Sequence, residues 1–179
     1  MTDRRELLLQ YVEACIATIA PGVVFAFPNG FAQRIVETDL GGRVFSRAIP
    51  EARMSQLAFP AVEMLVDSAQ EDIVTVSDDD LYHAEVPVSF VGYVSTGDAG
   101  TGGNPPVREQ LNKLRADLIV AIEAFPYWTS AEFPEPARRR CGEITTTLKA
   151  QSTEAPADWP TGFCTLTYAI TYTFSRTNP

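Results

Sequence analysis

Residues 163–174 constrain the fold more than any other part of this chain. Cys164, Leu166, Tyr168, Ile170, Tyr172 and Phe174 alternate with Thr165, Thr167, Ala169, Thr171 and Thr173. Successive side chains of a strand point to opposite faces, so the pattern predicts one strand with an apolar face and a threonine face. At about 3.4 Å per residue such a strand spans roughly 40 Å, about twice the usual length. A second long strand is predicted over 81–95. There Tyr82, Ala84, Val86, Val88, Phe90 and Val94 share a face, with His83, Glu85, Pro87 and Ser89 opposite. Pro87 has no N–H to give a ladder, which predicts an edge position or a bulge near it.

Two segments carry helical spacing instead. Leu7, Leu8, Tyr11, Val12, Cys15, Ile16 and Ile19 repeat on one helix face. Thr2 or Asp3 is placed to cap the start, and Pro21-Gly22 to end it. Val107, Leu111, Leu114, Leu118, Ile119, Ile122 and Phe125 mark a second helix, closed by Pro126. Between them, 23–27 and 31–39 read as strands around a Pro28-Asn29-Gly30 turn. Residues 40–58 read as a long loop with one helical turn over 50–57. Strands follow at 61–66 and 73–76, and the loop 96–106 is rich in glycine. Residues 127–140 read as irregular, 143–150 as a strand, and 155–162 as a turn. The predicted fold is α+β: one domain, a mainly antiparallel β-sheet with two main α-helices packed on one face.

The 179 residues carry 14 Lys and Arg against 23 Asp and Glu, a net charge of -9. The imbalance is local. No cation lies between Arg53 and Arg108, where Glu63, Asp67, Glu71, Asp72, Asp78, Asp79, Asp80, Glu85 and Asp98 fall. An acidic stretch of this kind repels nucleic acid, which argues against specific DNA binding. No apolar run approaches the roughly 20 residues needed to span a bilayer. Met1-Thr2-Asp3-Arg4-Arg5-Glu6 leads straight into the first helix with no signal-peptide block, which predicts synthesis and assembly in a cytoplasm. Cys15, Cys141 and Cys164 form no CxxC pair, so neither a disulfide framework nor a zinc site is expected. Cys15 and Cys164 fall on apolar faces as small core residues. Cys141 follows three arginines that can lower its pKa, but a plain strand-entry residue is the preferred reading.

No residue set calls for catalysis, a metal or a cofactor. His83 is the single histidine and has no GxSxG-type nucleophile to serve. Asp78-Asp79-Asp80 suggests calcium or magnesium, yet it lacks the spacing and the glycine of an EF-hand loop. A solvated turn is the preferred reading. Gly97, Gly100, Gly102 and Gly103 lack the Gly-Lys-Ser/Thr ending of a phosphate loop. Arg138-Arg139-Arg140 is the one compact basic cluster. It is a solvated run, a contact for DNA phosphates, or a match for the acidic stretch of another subunit. Of the two active readings the last is preferred, because head-to-tail association needs two different complementary surfaces. Trp128 and Trp159, both beside prolines, are packing anchors or partner-facing hot spots.

The element order now carries a resemblance. A first amphipathic helix, an acidic strand region, a helix of the Leu111-Asn-Lys-Leu114-Arg-Ala-Asp-Leu118-Ile-Val-Ala-Ile122 kind and a closing Tyr168-x-Ile170-x-Tyr172 strand resemble the tail terminator (tail-completion) proteins of long-tailed bacteriophages and related tail-like particles. The resemblance implies an α+β domain that forms a hexameric ring, caps the tail tube, ends its polymerisation and docks the head-side connector or stopper. It implies tube protein as partner, sheath as well if the tail contracts, DNA passing through the lumen without specific binding, and residence in the virion. It implies no enzyme activity and no cofactor. The candidate interface residues are Arg138, Arg139, Arg140, Asp78, Asp79, Asp80, Trp128 and Trp159. The alternatives are another neck or tail component, such as a head-completion stopper or a tube subunit, a small ligand-binding domain, or a carboxylate-based hydrolase using Glu63 and Asp67.

Overall fold

Asp3 accepts a hydrogen bond from the Arg5 N–H (3.2 Å) and caps helix α1 (Arg4–Ala17). Leu8, Tyr11, Val12, Cys15 and Ile16 form its buried stripe. The helix stops four residues before Pro21. Thr18 turns its hydroxyl back to the Cys15 carbonyl (2.6 Å) and its N–H to the same group, so the last turn closes on itself. In this computed structural model, residues 3–27, 34–54, 56–66, 72–76, 81–95, 106–154 and 161–175 are described. The expected turns at Pro28-Asn29-Gly30 and 155–160, and the loop 96–105, lie outside them.

Strands β1 (Val24–Phe25) and β2 (Arg34–Ile35) pair antiparallel, among the described residues a much shorter ribbon than the sequence pattern predicts. The segment 40–58 is not wholly a loop. Strand β3 (Val44–Phe45) lies parallel to β4 (Ala61–Val66), and α2 (Glu51–Met54) supplies the expected helical turn. Strand β5 (Asp72–Val76) and the long strand β6 (Leu81–Ser95) follow. Helix α3 (Val107–Ala124) then buries Leu111, Leu114, Leu118 and Ile122. Residues 127–140 are not irregular throughout, since Ala137–Arg140 form a short helix, α4. Strands β7 (Ile144–Glu154) and β8 (Thr161–Ser175) complete the chain.

One sheet runs in the order β3-β4-β6-β8-β7, with β5 also on β6. Apart from the β3–β4 pair its ladders are antiparallel. Helix α3 packs on β6 and β8, and α1 packs on α3. The helix-side face carries Val86, Val88, Phe90, Cys164, Leu166, Tyr168 and Ile170, all buried. Burying a side chain of this size contributes about 1.5–3 kcal/mol, so this layer is the main source of stability. Gly92 serves it by its smallness: a Cβ there would lie 2.8 Å from Leu114 Cδ2.

Of the two expectations for Pro87, the edge position is overturned, while an irregularity does lie nearby, in β5 between Ile73 and Thr75 opposite Ala84 and His83. β6 is central, with β8 along its whole length and β5 and β4 sharing its other flank. The Thr173 N–H donates to the Glu143 carbonyl. By strict alternation, odd-numbered residues of β8 then direct their N–H groups to β7 and even-numbered ones to β6. Across the ladder, the position of the missing Pro87 N–H faces away from β8. On that side β5 ends its pairing at Glu85 and β4 begins at Val88. Pro87 stands in the gap between two short strands, where no ladder bond is lost.

Candidate interaction surface

Helices cover one face of the sheet, and the opposite face is a lawn of small side chains. Pairing places Thr145, Thr147, Ala150 and Ser152 of β7 beside Thr171, Ala169, Thr167 and Thr165 of β8. These continue across to Glu85, Pro87, Ser89 and Val91 of β6. The Ser89 and Thr167 hydroxyls are 3.4 Å apart. On this face, between Glu85 at one end and Glu154 at the other, the register positions of β6, β7 and β8 hold no charged residue, and the bulge residue Lys149, next to the helix-facing Leu148, adds a single cation at the β7 edge. Surfaces left to water usually mix in many charges, so a plane of this extent, rich in threonine and with one cation at its edge, is distinctive. At its far corner Tyr93 and Phe163 pack with ring centroids 6.4 Å apart.

Strand β7 closes one side of the sheet. Most of its residues are exposed, including Leu148, and none is fully buried. Because Glu143 and Thr173 are a hydrogen-bonded pair, the N–H and C=O groups of Ile144, Thr146 and Leu148 face away from β8. Among the described residues no strand pairs with that rim. Lys149 is the extra residue of a bulge between Leu148 and Ala150.

The candidate residues fall unevenly. Arg138, Arg139 and Arg140 are exposed on α4, just before β7. Arg138 lies over the Tyr127 ring, 4.6 Å from its centroid, a cation–π contact that occupies one of the three. Trp128 is half-buried, tilted against Phe133 at 6.0 Å. Phe133 in turn packs on Tyr11, whose hydroxyl donates to the Glu135 carbonyl at 2.7 Å. Trp128 is thus part of the packing that fixes 127–136 on α1. Asp78, Asp79, Asp80 and Trp159 lie outside the described residues, as does Asp67.

Three buried groups could be mistaken for chemistry. Glu63 accepts from the Tyr93 hydroxyl at 2.8 Å and from the Ile49 N–H, so both its oxygens are occupied. Burial and that bond push the Tyr93 hydroxyl well above its ordinary value. Asp117, on the buried side of α3, accepts from the Glu37 and Thr38 N–H groups at 3.0 and 2.8 Å. The sequence reading missed this clamp, although a carboxylate between Leu114 and Leu118 on an apolar stripe was its signal. Cys141, finally, is buried at the end of α4, and burial pushes its thiol up to about 11. Arg4 and Arg140 offset only part of that rise. It belongs to the core, at a helix cap and not at a strand entry. Cys15 and Cys164 are buried as predicted, and burial raises both thiols.

Two open hollows lie among the described residues, neither shaped like an enclosed site. One, ≈ 200 Å³, lies beside Ile35, Lys113 and Asp117, and the other, ≈ 320 Å³, beside Glu13, Val44 and Phe133. Lys113 bridges Glu37 (3.1 Å) and Glu109 (3.2 Å) at the first. Among the described residues no three metal-ligating side chains cluster, and no helix is long and apolar enough to cross a membrane. No protein-family model matches the chain, and no curated protein shows significant similarity to it.

Proposed function

We propose that this chain is a structural, interfacial protein of the tail-terminator kind, working as a ring subunit that caps a tail tube and presents a docking surface to the head-side connector. The observation that supports it is the sheet: a long central pair, β6 and β8, backed by helices on one face, bare and sparsely charged on the other, and unpaired along the β7 rim among the described residues. Such a sheet suits burial against other protein copies better than turnover of a small substrate. The acidic interval between Arg53 and Arg108 suits a lumen through which DNA slides, since like charge prevents adhesion. Glu63, the acid a hydrolase would need, is committed to Tyr93 and Ile49.

The test is tube growth followed by electron microscopy, with tube subunits of the same particle. A terminator arrests elongation at substoichiometric amounts and appears as a ring at tube ends. Tubes that grow to unchanged length, with no ring at any protein concentration, overturn the reading.

A further inference from the structure

We propose that the β7 rim of one copy pairs with the β5 rim of the next, continuing the sheet from subunit to subunit. The inference rests on the ring reading above and names the contact that would close it.

Geometry comes first. Strands β6 and β7 run in the same direction, since each is antiparallel to β8, while β5 runs opposite to both. A rotation axis lying along the strands preserves their direction from copy to copy. Under it, β7 meets the β5 of its neighbour antiparallel, the pairing already used through most of this sheet. Lengths agree as well. Before its bulge β7 offers the regular run 144–148, and β5 has 5 residues, Asp72–Val76, with a bulge of its own between Ile73 and Thr75. The outward N–H and C=O groups of Ile144, Thr146 and Leu148 are the donors and acceptors such a neighbour would meet.

Charge selects this pairing over β7 against β7. Lys149 stands at the middle of Ile144–Glu154, so a full-length two-fold pairing sets Lys149 opposite its own copy, which is destabilising. A shorter two-fold pairing avoids that clash but leaves the acidic interval uncompensated. The β7 rim carries Lys149 and follows Arg138, Arg139 and Arg140, whereas β5 lies in the stretch with no cation between Arg53 and Arg108. Complementary charge at two different rims is the requirement of head-to-tail assembly.

The test uses the full chain alone, in low salt, by sedimentation and light scattering. The wild type is expected to self-associate. Thr146→Pro removes one outward N–H without touching the β8 ladder, and Lys149→Glu reverses the rim charge at an exposed position. Both are expected to be monomeric at concentrations where the wild type is not, with unchanged melting temperatures. Carbodiimide cross-linking of mixed isotope-labelled and unlabelled protein is expected to join Lys149, one of two lysines in the chain, to a carboxylate between 63 and 85 of another copy. A monomeric wild type up to its solubility limit, association unchanged in Lys149→Glu, or cross-links from Lys149 to Glu143 or Glu154 of another copy would each overturn the rim contact. A chain that arrests tube growth with none of these signatures sinks the contact alone. One that assembles through these rims yet leaves tube length unaltered sinks the tail function alone.

Discussion

The Tyr93 hydroxyl donates to Glu63 across 2.8 Å, and the same carboxylate, only 4% exposed, holds the Ile49 N–H on its other oxygen. One side chain thereby fastens β6 to β4 and pins the segment before α2 against the sheet. Tyr93→Phe leaves a buried carboxylate oxygen without its partner, which costs about 1–3 kcal/mol. Denaturant unfolding is expected to show a lower midpoint with an unchanged slope, since the core stays closed.

The same hydroxyl gives a pH signature. Burial, then the bond to Glu63, raises its pKa in the folded chain above the ordinary 10.0. The unfolded chain therefore releases this proton first as pH climbs. The stabilisation is whole below pH 10 and is lost above it, toward the folded value. Tyr11 and Tyr168 are raised in the same direction and act equally in both proteins. The stability of Tyr93→Phe is thus expected to fall less steeply than wild type above pH 10, and to run parallel below it.

All three thiols are buried, and burial raises each above its ordinary 9.0. Thiolate is the reactive form, so at pH 8 a thiol reagent is expected to find none of them on the folded protein and all three in denaturant. Fast reaction of Cys141 alone would mean that its neighbouring arginines outweigh its burial.

Asp117 holds two backbone N–H groups of the strap that follows β2. Asp117→Ala strips both donors of their acceptor at a site 2% exposed. At about 1–3 kcal/mol for each unsatisfied group, the loss is roughly 2–6 kcal/mol. At this chain length that lowers the melting temperature by roughly 4–24 °C. Asp117→Asn keeps a carbonyl in place and is expected to lose far less.

What was legible in the chain followed from periodicity. Alternation through Cys164, Leu166, Tyr168 and Ile170 placed β8, and the same pattern around Val86, Val88 and Phe90 placed β6, because strands buried on one face must alternate. The stripe of α3 was equally plain. What failed depended on partners remote in sequence. Pro87 reads as an edge residue only while one ignores that two short strands can share a flank and leave a gap opposite it. Two-residue β3 has no period to detect, and its pairing with Val62 and Glu63 is set by the fold around it. The roles of Glu63 and Asp117 were not legible because the N–H groups that donate to them lie 14 and 80 positions away. The interface candidates were chosen by charge and aromaticity, which locate Arg138 to Arg140 just before β7 but say nothing of the bare threonine plane.

The bulge at Lys149 has the effect of a frameshift written in side chains. Ahead of it Ile144, Thr146 and Leu148 look toward the helices, whereas beyond it Gln151 and Thr153 do, so even and odd trade places. Excising Lys149 would join the two halves into one uninterrupted register while every other residue of the strand kept its side. A chain shortened by that single residue should therefore fold unaltered, having lost only the crook that bends its outermost ribbon.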